Sequence, residues 1–293
     1  MLEQPNIQWY PGHMKKTEGM IKSNLSYVDI VAELLDARIP RSSTNPKINQ
    51  LIGKKAHIIL LNKADMADPA VTKEWIDFFR SLGLVAISFS CKDKKNIEVF
   101  QKTVQSQLRD VQERNKDKGM TTRALRVMVV GVPNVGKSTF INTIAGSTHT
   151  KAEDRPGVTR QKQWVHLSKQ IDLLDMPGTL WPKLEDKGTG LHLAFTGAIK
   201  DDILDVELVA MHLLEYLCKF YFERLKQRFK LDQTFVSLNA FERLEQLGRK
   251  RGMLLPGNEV DTQRVATTLL DEFRKGRLGL ISLERPKAFQ IEV

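Results

Sequence analysis

Short apolar runs bounded by turn-forming residues recur through the first 175 residues. They are "VDIVAELLD" (28–36), "HIILLN" (57–62), "LVAISFS" (84–90), "LRVMVVG" (125–131), "QWVHL" (163–167) and "IDLLD" (171–175). Each has the length and β-branched content of a buried strand. Helical patterns separate the first four. Residues 69–82 start with Pro69, which suits a helix's first turn. Residues 96–114 place Ile97, Val99, Phe100, Val104, Leu108 and Val111 close to helical period. Alternating strands and helices predict a parallel sheet covered on both faces. Residues 109–126 are polar and read as a frayed helix end followed by a linker.

The pattern changes after about residue 200. "ILDVELVAMHLLEYLCKFY" (203–221) carries a helical stripe through Val206, Val209, Leu213 and Leu217. Residues 235–247 form a second helical pattern ending at Gly248. Residues 261–275 form a third, between a capping Asp261 and Gly276. An α/β domain over 1–182 and a connector with a helical domain over 183–293 are therefore expected.

Composition narrows the class. Hydrophobic residues make up 41% and charged residues 27%, the balance of a globular chain. The formal charge of +10 suits a polyanionic partner. Cys91 and Cys218 lack the spacing of a zinc site or a disulfide framework. No run reaches the ~18 apolar residues of a membrane span, and the opening residues lack a signal peptide's apolar core. A cytoplasmic protein with no membrane partner is expected.

Chemistry enters at "GVPNVGKS" (131–138), which fits G-x-x-x-x-G-K-S between a strand-like and a helix-like run. Gly131 and Gly136 allow backbone N–H groups to curl around a β-phosphate. Lys137 would place a point charge on the β- and γ-phosphates, and Ser138 would offer its hydroxyl to Mg²⁺. Asn134, Val135 and Thr139 complete the loop. "DMPG" (175–178) ends a later strand-like run; Asp175 can hold Mg²⁺ through water, and the Gly178 N–H can reach a γ-phosphate. Between them "RPGVTR" (155–160) offers Thr159 as a second hydroxyl for Mg²⁺. Taken alone, D-x-x-G and "PGVT" are ordinary turns.

"NKAD" (62–65) ends an earlier strand. Asp65 can accept two hydrogen bonds from guanine, which adenine cannot supply, so ATP would leave a buried carboxylate unpaired. Asn62 would bond the purine, and the Lys63 stem would lie on its flat face. "SCK" (90–92), with Ser90 and Cys91, stands where a second base loop would bring an N–H to guanine O6. The order is base, base, phosphate, switch, switch. Ligands in open α/β sheets sit at strand C-terminal ends, whatever order the chain visits them, so a P-loop GTPase fold that is circularly permuted accounts for all five motifs.

Carrying these motifs in this order, the chain resembles the circularly permuted GTPases of the YlqF type. The likeness rests on "WYPGHM" (9–14), "LLDARIPRSSTNP" (34–46), "LNKADM", "GVPNVGKSTFIN", "RPGVTR" and "DMPGTLWPK". It implies a GTP-hydrolysing factor for late maturation of the large (50S) ribosomal subunit, with GTP/GDP, Mg²⁺ and K⁺ as cofactors. It also implies the subunit's RNA as partner, a monomeric state, and a low intrinsic rate stimulated by the subunit. Thr179 and Leu180 follow Gly178, where many GTPases place a water-orienting Gln. The resemblance favours His13 for that role; a structural histidine or an RNA contact is the alternative. Asn134 is of the type found in potassium-stimulated relatives, where its amide would help hold K⁺; the alternative is a turn-forming Asn. Residues 219–252 hold nine Lys/Arg against four Asp/Glu, a surface for RNA phosphates or a solvated helix face; with the ribosome binding that the resemblance implies, residues 183–293 are the expected RNA- or ribosome-binding domain. A hydrolase, a GTP-dependent placeholder and an ATP-using kinase remain distinct readings, the last disfavoured by Asp65.

Overall fold

The computed structural model describes residues 2, 13–53, 55–93, 95–109, 124–146, 163–168, 170–178 and 187–286. They fall into two compact units: residues 13–178 together with 282–286, and residues 187–281 together with residue 2. The first unit is built on a six-stranded sheet of order β3-β2-β1-β4-β6-β5. The strands are β1 (Ile30–Asp36), β2 (Ala56–Asn62), β3 (Val85–Ser88), β4 (Leu125–Gly131), β5 (Gln163–Ser168) and β6 (Ile171–Asp175). Pairing is parallel from β3 through β6. Among the described strands of this sheet only β5 runs antiparallel, against β6, because the two residues between them leave no room for a crossover.

The apolar runs read as strands because both faces of the sheet are buried. Along β1, Val31 and Leu35 face the same side as Ile59 and Leu61 of β2, and as Met128 and Val130 of β4. Helices α1 (His13–Leu25) and α3 (Ile48–Ile52) cover one part of that side through Ile21, Ile48 and Ile52. Helix α4 (Pro69–Ser81) covers the rest through Val71, Trp75 and Phe79. Residues of the other parity, among them Ile30, Ala32, Leu34, Ile58 and Leu60, are equally buried. Helices α5 (Lys95–Gln107) and α6 (Lys137–Ala145) remain to cover them. Their Phe100 and Phe140 meet edge-on at 5.1 Å, a geometry that adds to plain area burial.

Helix α4 starts where its sequence requires. The Asp68 carboxylate accepts from Ala70 N at 2.8 Å, and Pro69 takes the first turn, a cap worth about 1 kcal/mol. Helix α1 has no counterpart in the sequence reading, and α2 (Pro40–Ser43) and α3 answer only to the unbounded helical pattern expected between the first two strands. The latter two are too short to show a period.

The second unit is helical: α7 (Lys187–Phe195), α8 (Val206–Phe220), α9 (Phe222–Phe229), α10 (Ala240–Arg251) and α11 (Thr262–Arg274). The stripe Val206, Val209, Leu213, Leu217 is buried as its spacing requires. Asp261 caps α11 by accepting from Arg264 N at 3.0 Å. Helix α10 departs from expectation. It begins at Asn239, whose side chain forms a capping box with Glu242, and continues through Gly248 to Gly252. Gly248 is not a stop; a methyl there would lie 2.3 Å from Val260 Cγ1, so the glycine admits a close neighbour. The described end of the chain departs too. Residues 282–286 belong with the sheet, not with the helices.

Candidate functional site

Strands β2 and β4 are not neighbours, since β1 lies between them, yet their following loops are bonded to one another. Asn62, 2% exposed, donates from Nδ2 to the Val135 carbonyl at 2.8 Å. Lys63 donates from Nζ to the Asn134 carbonyl at 2.7 Å. Because β2, β1 and β4 are parallel, all three carboxyl ends open on one edge of the sheet, where an α/β sheet binds ligands. Residues about seventy positions apart thus form one loop cluster.

The backbone is shaped for this. Gly136 takes φ 97 immediately before α6, a conformation that favours glycine. A methyl at Gly136 would lie 2.6 Å from Asn62 Nδ2, so the base loop and phosphate loop approach too closely for a side chain. Lys63 and Asn134 both adopt left-handed φ, at 58 and 56. For non-glycine residues that is an uncommon state held by surroundings.

Asp65 lies in the short turn after Lys63. Ser90 Oγ donates to its Oδ1 at 2.8 Å, and Lys92 Nζ lies 2.7 Å from its Oδ2. Burial would raise the Asp65 pKa, but the bonds from Lys92 and Ser90 outweigh it and hold the carboxyl below its ordinary value. The "SCK" loop therefore joins the base loop directly, and the Ala64 N–H donates to the Phe89 carbonyl at 3.1 Å. Cys91 is half-buried and hydrogen-bonded to Thr143 of α6, with burial pushing its thiol pKa up. It has the character of a packing group, not a reactive thiolate.

Ser138 and Thr139 stand in the first turn of α6. Lys137 is buried, and its ammonium donates to the Gly131 and Val132 carbonyls, both at 3.0 Å. Burial lowers its pKa to about 8, with Asp175 opposing the shift. Burial also raises Asp175 to about 6 against the pull of Lys137. Both groups are pushed toward neutrality by lost hydration. Asp175 is fully buried, and neither carboxylate oxygen has a hydrogen-bond partner among the described residues. Such a group needs a cation or a bound water to be satisfied, so the site's donor set fits Mg²⁺. Gly178 lies against the phosphate loop: a methyl on it would fall 2.9 Å from Pro133 Cα and 3.2 Å from Lys137 Nζ.

Thr159 lies outside the described residues, as do Thr179 and Leu180. His13 opens α1, but its side chain is outside what is described.

One buried charge cluster escaped the sequence reading. Asp36, the last residue of β1, is 1% exposed and accepts from Arg38 Nε at 2.9 Å and Nη2 at 2.7 Å. Its Oδ2 also lies 3.3 Å from Lys63 Nζ. Two opposite charges two residues apart at the end of an apolar strand ("LLDAR") were the available signal. A second pair, Glu33 and His57, sits inside the sheet at 3.1 Å, with Glu33 also accepting from Asn45 N at 3.0 Å. The helical unit has a cleft of about 640 Å³ between α7 and α8, bordered by His192, Phe195, His212 and Tyr216; none of the nucleotide-motif residues lines it.

Comparison with known proteins agrees with this geometry. The family profile described as "50S ribosome-binding GTPase" matches residues 126–237, starting at the strand that feeds the phosphate loop. Ribosome biogenesis GTPase A of Bacillus cereus is 42% identical over 287 residues, covering 98% of this chain and 96% of the relative. Its namesake in Thermotoga maritima is 30% identical over 281 residues, covering 96% and 95%. Among solved structures, GDP-bound YlqF superposes with a TM-score of 0.66 at 28% identity, covering 92% of this chain and 99% of the other. A GNP-bound YlqF from T. maritima gives 0.63 at 28% identity, covering 93% and 99%. The motif order and strand order of this chain are consistent with a circularly permuted GTPase domain. A sheet whose loops after β2 and β4 are bonded together, and relatives matching along nearly its whole length, lead to one conclusion: the chain belongs to the ribosome biogenesis GTPase A family.

Proposed function

We propose that this GTP-binding assembly factor acts on the large ribosomal subunit, grips its RNA in the GTP state and lets go after hydrolysis. The observation that supports this best is the pair of bonds from Asn62 and Lys63 to the phosphate loop, at 2.8 and 2.7 Å. They make base reading and phosphate binding one event. In this reading Asp65 selects guanine, with Ser90 and Cys91 in the neighbouring loop. Asn134 to Thr139 cradle the phosphates, and Lys137 moves from the Gly131 and Val132 carbonyls onto them.

Ser138, Thr159 and Asp175 would hold Mg²⁺, Asp175 through water. When bound, the ion would supply positive charge to offset that of the phosphates. Asn134 would contribute to a K⁺ site next to it. His13 would orient the attacking water in place of the Gln that does not follow Gly178. Intrinsic turnover is then slow, and docking on the subunit accelerates it. Gly178 is the sensor: its close fit against Pro133 and Lys137 makes the segment after it responsive to what the phosphate loop holds.

Charge supports an RNA partner, and its distribution favours residues 1–183 as the larger contact. Residues 1–183 contain 28 Lys/Arg and 18 Asp/Glu, whereas residues 184–281 contain 15 of each. The whole excess of ten therefore lies outside the helical unit. Several cations of the basic run 219–252 are also spent internally. Arg228 binds the buried Glu272 through two bonds of 2.7 Å, and Arg251 reaches it at 3.2 Å. We therefore assign most RNA phosphate contacts to residues 1–183, with the helical unit as the secondary surface.

Co-sedimentation with purified large subunits tests the proposal. Binding should be strong with a non-hydrolysable GTP analogue and weak with GDP. Equal pelleting in both states would overturn it. A GTP-binding variant unable to hydrolyse separates a hydrolysis-driven factor from a placeholder: maturation that proceeds normally with that variant favours the placeholder.

A further inference from the structure

After the helical unit the chain comes back to the sheet. Residues Ser282 to Arg285 lie across the loops that follow β1 and β2. Leu283 N donates to the Arg38 carbonyl at 2.8 Å. Ser282 Oγ accepts from Asp68 N at 3.1 Å. The Glu284 carbonyl accepts from Trp75 Nε1 at 3.1 Å, and its carboxylate accepts from Ser42 N at 3.1 Å and from the Ser42 hydroxyl. Arg285 pairs with Glu74 at 2.7 Å. Trp75 is fully buried, and Leu283 nearly so. A stretch of four residues thus uses both backbone and side chains to clasp two loops. That is more than a wandering terminus makes.

The clasp leads to the nucleotide loops by bonded steps. It holds Arg38, which binds Asp36 through two side-chain bonds, at 2.9 and 2.7 Å, and through its own N–H at 3.1 Å. Asp36 faces Lys63 at 3.3 Å. Lys63 in turn crosses to the Asn134 carbonyl of the phosphate loop at 2.7 Å. The backbone reinforces the same line, since Ala37 N donates to the Asn62 carbonyl at 2.8 Å. An ammonium on a flexible four-carbon stem has many rotamers to choose from. Here a buried carboxylate selects the one that spans the two loops.

We propose that Asp36 is a positioning residue that fixes Lys63 across the phosphate loop, and that the clasp Ser282–Arg285, by fixing Arg38, slows release of guanine nucleotide. The clasp follows directly on residue 281, the end of the helical unit. Tension on the chain at residue 281 would loosen the clasp and speed exchange. The inference rests on the reading that residues 62–65 hold the base. That reading stands or falls separately: fluorescent GDP must bind the wild-type protein and must be lost or greatly weakened in Asp65→Asn.

Release of fluorescent GDP, followed by stopped flow on the full-length protein, tests the proposal. Leu283→Pro deletes the N–H that reaches Arg38, and Leu283→Ala keeps it while removing the side chain. The first should release GDP about tenfold faster than wild type, and the second should change release much less. Asp36→Asn should accelerate release by a similar factor. The double variant should be little faster than either single one, because both act on one chain of contacts. Asp36→Glu should recover part of the loss. Should Leu283→Pro fail to fold, Glu284→Gln weakens the grip on Ser42 and should still speed release about threefold. Release rates that stay at the wild-type value while thermal stability falls would show the clasp to be only structural. Fully additive effects would show that no relay runs through Asp36.

Discussion

The carboxylate of Asp36 shows how much one residue's setting can matter. Burial alone would raise its pKa, but the Arg38 guanidinium and the Lys63 ammonium more than offset this and hold it well below the ordinary 3.8. A pKa depressed by folding stabilises the fold above the unfolded value. That contribution fades as pH falls through 3.8 toward the folded value. Asp36→Asn should therefore cost about 3 kcal/mol at neutral pH, because it removes the anion that the buried Arg38 guanidinium and the Lys63 ammonium both face. The gap to wild type should narrow in urea titrations below about pH 4. At Asp65, replacement by Asn should exchange guanine preference for xanthine preference, read by competition between GDP and xanthosine diphosphate. Weakening of GDP by about a hundredfold is expected from the loss of two charge-assisted bonds. The two residues differ in how far sequence reveals them. Asp65 sits in a fixed four-residue spacing, which survives any fold. Asp36 becomes special only because β1 is central and buried on both faces, a fact about neighbours that its own stretch does not carry.

Elements were legible where they are long or closely packed. β4 and β6 run over the residues their apolar runs mark, and α4 is announced by its capping Asp68 and Pro69. Helices α2 and α3 were expected only as a helical stretch without bounds, being four and five residues long, too short for a helical period to mark their ends. Gly248 misled because a glycine near the end of a helical pattern usually stops it. Here its job is to let Val260 and Val265 approach α10. Gly248→Ala should accordingly destabilise by about 1–3 kcal/mol through overpacking. Gly252 provides the contrast. It has φ 63, and a methyl added to it would meet nothing within 4 Å, so Gly252→Ala should cost only the left-handed backbone strain of about 1 kcal/mol. Chemical denaturation of the two variants measures both.

At the scale of the whole molecule, charge separates the two units more sharply than fold class does. Because the excess of ten lies in residues 1–183, subunit binding should weaken steeply between about 50 and 200 mM salt, by a factor on the order of a thousand if six or more phosphates are neutralised. Reversing four Lys or Arg in that region should flatten the salt slope more than reversing four in α9 and α10. Filter binding across a salt series checks both. GTP turnover should be faster in KCl than in NaCl at equal ionic strength, and Asn134→Ala should abolish the difference. Composition revealed the overall charge, but only the division into units shows where it resides, and the internal pairing of Arg228 and Arg251 with Glu272 could not be read from a run of basic letters.

The return of Ser282 to the sheet alters what counts as a module here. The run of helices is inserted in the chain of the sheet-bearing unit, with one seam near residue 183 and another near 281. A chimaera that swaps in the helices of a relative must therefore be cut at both seams and keep its own final stretch, and a graft that simply replaces everything after residue 183 would strip Arg38 and Trp75 of the partners this chain supplies from its far end.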